Sequence, residues 1–151
     1  MPGMASHTIS KFAMFVCVAV LGACSGPPVV APVSPVTTLQ STVLTPGTGA
    51  AVAAGQTAVV QYTGWLYDAA AKDNKGKQFD SSRVGGGHAF KFPVGTGSVI
   101  KGWDQGVVGM TVGESRRLVI PPDLAYGDKG AGGVIPPGAT LVFDVELIGI
   151  E

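Results

Sequence analysis

The sequence has few charged residues and no excess of either sign. Lys and Arg number 10, Asp and Glu also number 10, and together they make up 13% of the 151 residues. A protein held to nucleic acid needs a basic surface, so a formal net charge of zero argues against nucleic acid as a partner. The 23 glycines and 11 prolines favour short strands and turns over long helices.

Metal-binding and nucleophilic side chains are also scarce. The chain has two histidines, His7 and His88, and two cysteines, Cys17 and Cys24. Only His88 lies beyond residue 24, so a tetrahedral Cys/His metal site is excluded there. It stands in the loop sequence GGGHAF without a nucleophile motif such as G-x-S-x-G, and no phosphate-binding glycine motif is present. We therefore expect no metal and no cofactor, and His88 is interpreted as a solvated loop residue.

No apolar run is long enough to span a bilayer as a helix. The run from Phe12 to Leu21 has ten residues where about 20 are needed, and it matches the apolar core of a secretory signal. The sequence that follows, LGAC, ends at Cys24 and resembles the lipobox of bacterial lipoproteins, in which the cysteine is acylated and becomes the first mature residue. We expect a lipoprotein signal over residues 1–23 and a lipid on Cys24. An ordinary signal peptide is the alternative.

A proline-rich stretch separates this segment from the rest of the chain. Residues 25–38 read SGPPVVAPVSPVTT, and four prolines among small residues predict an extended, poorly packed spacer. With the cysteine before it, this forms a linker over 24–38, and the folded domain is predicted to span 39–151. A lipid on Cys24 would hold that domain at a bacterial membrane. The expected location is the cell envelope, with the domain facing the periplasm or the cell exterior.

Alternation of apolar and polar residues predicts antiparallel strands in the domain. The clearest segments span 58–67, 116–120 and 140–150, and 90–94 is a shorter candidate. In 140–150, aliphatic residues and Phe143 occupy one face, and acidic residues occupy the other. The sheet is therefore expected to have one covered face.

One stretch has helical spacing. Ile100, Trp103 and Val107 recur at offsets of three and four within 100–108, and the glycines there keep the predicted helix short. Two stretches rich in glycine read as loops: 68–78 and 128–137. The predicted fold class is α+β, a curved antiparallel β-sheet wrapped on one short α-helix.

Aromatic residues lie on several of these elements: Tyr62, Phe79, Phe90, Trp103, Tyr126 and Phe143. Each taken alone is better explained by a place in the core. Seven short motifs nevertheless follow one another in order: QYTG at 61–64, QFDSSR at 78–83, FKF at 90–92, VIKGW at 99–103, AYG at 125–127, IPP at 135–137 and ATLVFDVEL at 139–147. Together they resemble the FKBP-type peptidyl-prolyl cis-trans isomerases, the macrolide-binding family, over about residues 39–151.

The resemblance implies a proline-binding pocket with Trp103 as its floor. It assigns substrate-binding positions to seven residues: Tyr62, Phe79, Phe90, Val99, Ile100, Ile135 and Phe143. Asp80 would be the pocket carboxylate, Tyr126 the hydroxyl on the loop over the pocket, and the backbone N–H of Ile100 the donor to a substrate carbonyl. Asp80, Tyr126 and Trp103 are the implied catalytic group. Asp80 could act on the twisting amide or could hold Tyr62 or Arg83 in place, and Arg83 is interpreted as scaffold.

Three stretches depart from the smallest members of the family. Residues 69–75 form an insertion, residues 84–88 read VGGGH where those members carry charge, and Ala131 and Gly132 replace bulkier residues near Tyr126. The insertion is expected to affect the choice of partner. The two small residues are expected to lower the affinity for macrolides without abolishing isomerisation.

The predicted function is rotation of X-Pro bonds in exported proteins. Rotation breaks no bond, so a dry aromatic pocket that prefers the twisted amide is sufficient, without nucleophile or metal. The expected partners are proline-containing polypeptides and macrolide inhibitors. No dimerisation segment is visible, so a monomer is expected. The alternative function is a binding module or chaperone that holds proline-containing segments with incidental turnover.

Overall fold

The computed structural model describes residues 36–151. Six antiparallel strands form one sheet there: β1 Gln40–Thr45, β2 Thr57–Tyr67, β3 Lys75–Ser81, β4 Phe90–Pro93, β5 Ser115–Ile120 and β6 Leu141–Ile150. The strand order is β1-β5-β6-β2-β3, and β4 pairs with the start of β2 on the edge that β3 uses further along. One α-helix, α1, spans Lys101–Gly106. The predicted architecture, an antiparallel sheet on one short helix, is confirmed.

The strands predicted from alternation agree with the structure to within one residue at each end. They are β2, β4, β5 and β6, and α1 lies inside the predicted 100–108. Each of these elements presents apolar side chains to the main core, which is the property that alternation detects. The alternation in the sequence therefore reflects the burial of one face of each strand, as expected for a sheet that packs on a helix.

Two strands were not predicted, because neither has an alternating apolar face. All six residues of β1 are exposed, since it is an edge strand that pairs only with β5. β3 begins at Lys75, so the prediction of a loop over 68–78 is wrong for its last four residues. Its register on β2 shifts on either side of Trp65, which breaks any regular alternation.

The helix α1 lies unusually close to β5, and two of its glycines make this possible. A Cβ at Gly102 would lie 2.3 Å from Cγ2 of Ile120, and one at Gly106 would lie 2.6 Å from Cδ2 of Leu118. Both distances are far below ordinary van der Waals contact. The glycines that keep α1 short thus also form the face of the helix that packs against β5.

An ion pair fixes the C-terminal end of α1. The guanidinium of Arg116 pairs with the carboxylate of Glu114 at 2.6 Å, and its Nη1 donates to the carbonyl of Gly106 at 2.9 Å. Burial alone would raise the pKa of Glu114, but hydrogen bonds from the backbone N–H of Thr111 and from Arg116 outweigh it and lower the pKa. The helix end is therefore tied to the start of β5 by a charged group that stays ionised.

The opposite face of the sheet is not purely polar. Val36, Val119 and Val142 form a second buried cluster there, with Trp65 and Tyr67 packed against it. Val36 falls within the segment predicted as linker. The predicted signal over 1–23 and the predicted lipid on Cys24 lie outside the described residues, and no helix within 36–151 is long and apolar enough to cross a membrane.

Gly106→Ala is expected to destabilise the domain by about 1–2 kcal/mol, because the added methyl group would overlap Leu118 and this exceeds the gain in helix propensity. Gln105→Ala, at an exposed position of the same helix, is the matched control and should leave the stability within about 0.5 kcal/mol. Urea unfolding measures both. Equal midpoints for the two variants would contradict the close approach of α1 to β5.

Candidate active site

A cavity of about 220 Å³ opens where α1 meets the main core of the sheet. Ten residues line it: Tyr62, Phe79, Asp80, Phe90, Ser98, Val99, Ile100, Trp103, Tyr126 and Phe143. Nine of these are among the ten pocket residues predicted from the sequence. The lining is drawn from β2, β3, β4, α1, β6 and two loops, so it exists only in the folded chain.

Trp103 lies at the centre of the aromatic cluster. It is 4% exposed, and the rings around it meet it edge-on: Tyr62 at a centroid distance of 5.0 Å and Phe143 at 5.3 Å. Phe90 completes the set at 6.0 Å, also nearly perpendicular. Perpendicular contacts of this kind are favourable and fix the orientation of each ring. The floor of the cavity is therefore largely apolar, with rings of defined orientation.

A glycine on β2 brings two of the walls together. Gly64 pairs with Phe143 on one side and Asp80 on the other, and a Cβ there would lie 2.7 Å from Phe143 and 2.8 Å from Phe79. The rings of Phe79 and Phe143 meet edge-to-face at 5.5 Å across this position. Any larger residue at Gly64 would displace one of the two rings.

The polar side chains of the cavity are coupled to one another. The hydroxyl of Tyr62 donates to Oδ2 of Asp80 at 2.6 Å, while Oδ1 of Asp80 accepts from the backbone N–H of Ser81 at 2.8 Å. Burial and this hydrogen bond raise the pKa of Tyr62 far above its ordinary value, and burial and the charge of Asp80 raise the pKa of Tyr126. Both phenols therefore keep their protons at neutral pH.

These contacts decide between the two structural roles expected of Asp80, which were to hold Tyr62 or to hold Arg83 in place. Asp80 holds Tyr62, and Arg83 pairs with Glu146 instead. Arg83 is thus scaffold, joining the end of β3 to β6. A direct action of Asp80 on a substrate stays a prediction.

Ile135 does not line the cavity. It is 6% exposed and packs in the main core, so the structure does not place it where the substrate-binding position implied by the resemblance would be. The chain turns inward at Gly130, whose φ of 63° places its Cα hydrogen against the carbonyl of Ile135, where a Cβ would lie 2.2 Å away. Two apolar residues followed by two prolines give no sign of such a turn.

The glycine-rich loop beside Phe90 is joined to β2 by one side chain. Nε2 of Gln61 donates to the carbonyl of Gly87 at 3.0 Å. His88 is exposed on this loop and does not line the cavity. His88 therefore has no role in the pocket that this geometry supports.

Ser98 is the one lining residue that the sequence did not indicate. It lies in the loop between β4 and α1, beside Val99 and Ile100. Serines are common in loops, and its place at the rim follows only from the path of that loop. No pattern in the sequence could have singled it out.

The chain matches a known family over most of the described residues. The sequence model for "FKBP-type peptidyl-prolyl cis-trans isomerase" matches residues 49–148. The chain belongs to this family. Six of the seven motifs contribute residues to the lining of the aromatic cavity, and the motif at 135–137 does not.

Individual FKBP-type relatives support the assignment. FK506-binding protein 1 of Aspergillus oryzae is 47% identical over 115 residues, which cover 75% of this chain and 98% of that protein. FK506-binding protein 2 of Yarrowia lipolytica is 56% identical over 64% of this chain and 62% of its own length. FK506-binding protein 2B of Rhizopus delemar is 58% identical over 61% of this chain but only 41% of its own length. The chain therefore spans less than two thirds of the last two relatives.

A solved structure agrees with the FKBP-type assignment. The crystal structure of AtFKBP13 superposes with a TM-score of 0.63 at 40% sequence identity, and the match covers 75% of this chain and 93% of that one. An identity of this size supports more than a shared fold, and it places the described domain among the FKBP-type proteins.

Asp80→Asn is expected to lower the pKa of Tyr62, because the variant removes the negative charge and weakens the hydrogen bond that retain the phenol proton. Burial should still hold the pKa above the ordinary value. The ultraviolet absorbance of tyrosinate during an alkaline titration measures it, in a Tyr126→Phe background that removes the other phenol of the cavity. Asp123→Asn, at an exposed position, is the control. An unchanged titration would rule out the contact between Tyr62 and Asp80.

Proposed function

We propose that this chain is a peptidyl-prolyl cis-trans isomerase that acts on proline-containing polypeptides. The observation that carries the proposal is the cavity in which three aromatic rings meet Trp103 edge-on, in a member of the FKBP-type family. Rotation about an X-Pro amide has a barrier of roughly 18–20 kcal/mol, which arises from amide resonance. No bond breaks, so a catalyst needs only to bind the twisted state more tightly than the planar one.

The cavity suits the twisted amide on electrostatic grounds. Twisting removes resonance, so the carbonyl oxygen loses negative charge and the amide becomes less polar. Such a state tolerates loss of water better than the planar amide does, and the rings of Tyr62, Trp103 and Phe143 exclude water. Since Asp80 already binds the hydroxyl of Tyr62, the proline ring would meet mainly apolar surface.

The rim supplies the donors that hold the substrate in place. The backbone N–H of Ile100 has no acceptor among residues 36–151, so it is free to donate to a substrate carbonyl. The phenol of Tyr126, which is 41% exposed and stays protonated, is a second donor at the mouth of the cavity. Together they would fix the carbonyl while the bond to proline turns.

The same cavity is proposed to bind macrolides. Three relatives are named FK506-binding proteins, and nine of the ten residues that line the cavity in this chain are ones the family resemblance assigns to its pocket. Ala131 and Gly132, on the loop that follows Tyr126, offer little side-chain surface to such a ligand. Isomerisation is therefore expected to persist where macrolide affinity is reduced.

The purified protein is expected to accelerate cis-to-trans conversion of a short X-Pro peptide, and FK506 should inhibit it. Trp103→Phe and Asp80→Asn should each lower kcat/KM by about tenfold or more, because each alters the cavity that prefers the twisted amide. Lys77→Ala, at an exposed position on the same strand as Asp80, should leave it unchanged. Absence of turnover from a folded protein would overturn the proposal in favour of a module that only binds proline-containing segments.

We also propose that the chain is a lipoprotein of the cell envelope, anchored through Cys24. The support is the sequence LGAC at the end of a ten-residue apolar run, followed by a proline-rich spacer. The three relatives described above come from fungi and lend no support to a bacterial lipoprotein form. Slow X-Pro isomerisation limits folding for tens to hundreds of seconds, so an isomerase near newly exported chains would have a use there.

Cys24→Ser is expected to abolish the incorporation of labelled palmitate and to move the protein from the membrane fraction to the soluble fraction of a bacterial host. Cys17→Ser is the matched control, because Cys17 lies in the segment that would be removed, and it should keep both label and location. Label that survives Cys24→Ser would overturn the anchor.

A further inference from the structure

The hydroxyl groups at the rim of the cavity have a fixed direction of hydrogen bonding. Oγ1 of Thr96 lies 3.0 Å from the carbonyl oxygen of Pro93 and 2.7 Å from Oγ of Ser98. A hydroxyl has one proton, and a carbonyl can only accept, so the proton of Thr96 is committed to Pro93. The proton between the two hydroxyls must therefore come from Ser98.

This order leaves Ser98 as a pure acceptor toward the cavity. Ser98 lines the cavity beside Val99 and Ile100; its single proton is used on Thr96, while its oxygen retains a lone pair. A group that binds to this oxygen must be a hydrogen-bond donor. In a polypeptide the donor that every segment carries is the backbone N–H.

The loop that holds these hydroxyls is itself fixed by α1. The carboxylate of Asp104 accepts from the backbone N–H of Gly95 at 2.9 Å and of Gly97 at 2.8 Å, one on each oxygen. Both glycines have positive φ, near 77°, so the loop takes a shape that other residues rarely adopt. Thr96 lies between the two anchored amides, which keeps its hydroxyl within 2.7 Å of Oγ of Ser98.

We propose that Ser98 is a specificity-determining residue whose hydroxyl oxygen accepts a hydrogen bond from a substrate backbone N–H next to the proline. The inference rests on the proposed isomerase function. With the N–H of Ile100, it gives the rim one donor and one acceptor two residues apart, complementary to the C=O and N–H of an extended peptide. Segments in which proline is flanked by further prolines lack the N–H, and they would be weaker substrates.

The test compares an X-Pro peptide with two ester analogues. In one, the N–H of the residue before the proline is replaced by oxygen, and in the other that of the residue after it. The wild-type protein should turn over one of the two analogues with a kcat/KM about threefold to tenfold below that of the amide, the usual cost of one lost hydrogen bond. The ratio of amide to ester is the quantity measured, so intrinsic differences between the peptides cancel between variants.

Ser98→Ala should bring that ratio close to one by lowering the kcat/KM of the amide peptide. Thr96→Val, which keeps the shape of the side chain but removes the acceptor for the Ser98 proton, should shrink the ratio, and Thr96→Ser should restore it. Ser41→Ala on the exposed edge strand β1 should leave the ratio as in the wild type.

The outcomes separate this inference from the function on which it rests. Turnover of all three peptides at equal rates by the wild-type protein would overturn the role of Ser98 and leave the isomerase intact. A ratio that persists in Ser98→Ala would also overturn it. No turnover of any peptide would overturn both. An unchanged ratio in Thr96→Val would overturn the claim that donation of the Ser98 proton to Thr96 makes Ser98 an acceptor.

Discussion

The close contact between α1 and β5 is the constraint on which the site depends. Gly102 and Gly106 lie one turn apart and allow the helix backbone to rest on Ile120 and Leu118. Trp103, which follows the first of these glycines, is thereby held at the depth where four other aromatic rings reach it. A helix of six residues has little stability of its own, so its position is set by this packing rather than by its propensity.

Several polar groups in and beside the cavity are hydrogen-bonded within the protein itself. Tyr62 donates to Asp80, Asp104 holds the loop at the rim, and Ser98 donates to Thr96. What is left for a ligand is an apolar floor and a few directed groups at the mouth. This balance fits a reaction in which a bond rotates, since a strongly charged site would favour the planar, more polar amide over the twisted one.

The sequence predicted those parts of the molecule that show periodic burial. β2, β5 and β6 alternate because one face of each packs in the main core, and ordered motifs assigned the pocket aromatics through family resemblance. β1 was not predicted because it is an exposed edge strand without an apolar face. β3 was not predicted because its shifted register on β2 breaks the alternation of apolar and polar residues. Ile135 was wrongly assigned to the cavity, and Ser98 was not assigned to it. In both cases the path of a loop, and not the residue type, decides whether the residue lines the cavity. The direction of the hydroxyl chain likewise depends on distances that no linear pattern contains.

The pocket wall formed by β3 is held partly from the far side of the sheet. β3 pairs only with β2, through an irregular ladder, but Lys75 at its start binds Asp144 of β6 at 2.6 Å, and Arg117 of β5 binds the same carboxylate at 2.7 Å. Burial works against ionisation of Asp144, yet the two cations outweigh it and lower its pKa. The start of β3, the strand that carries Phe79 and Asp80, is therefore attached to β6 by an ion pair. This ion pair weakens when acid protonates Asp144. Local opening of this sheet edge in acid would then also open the binding cavity, because β3 carries residues of both.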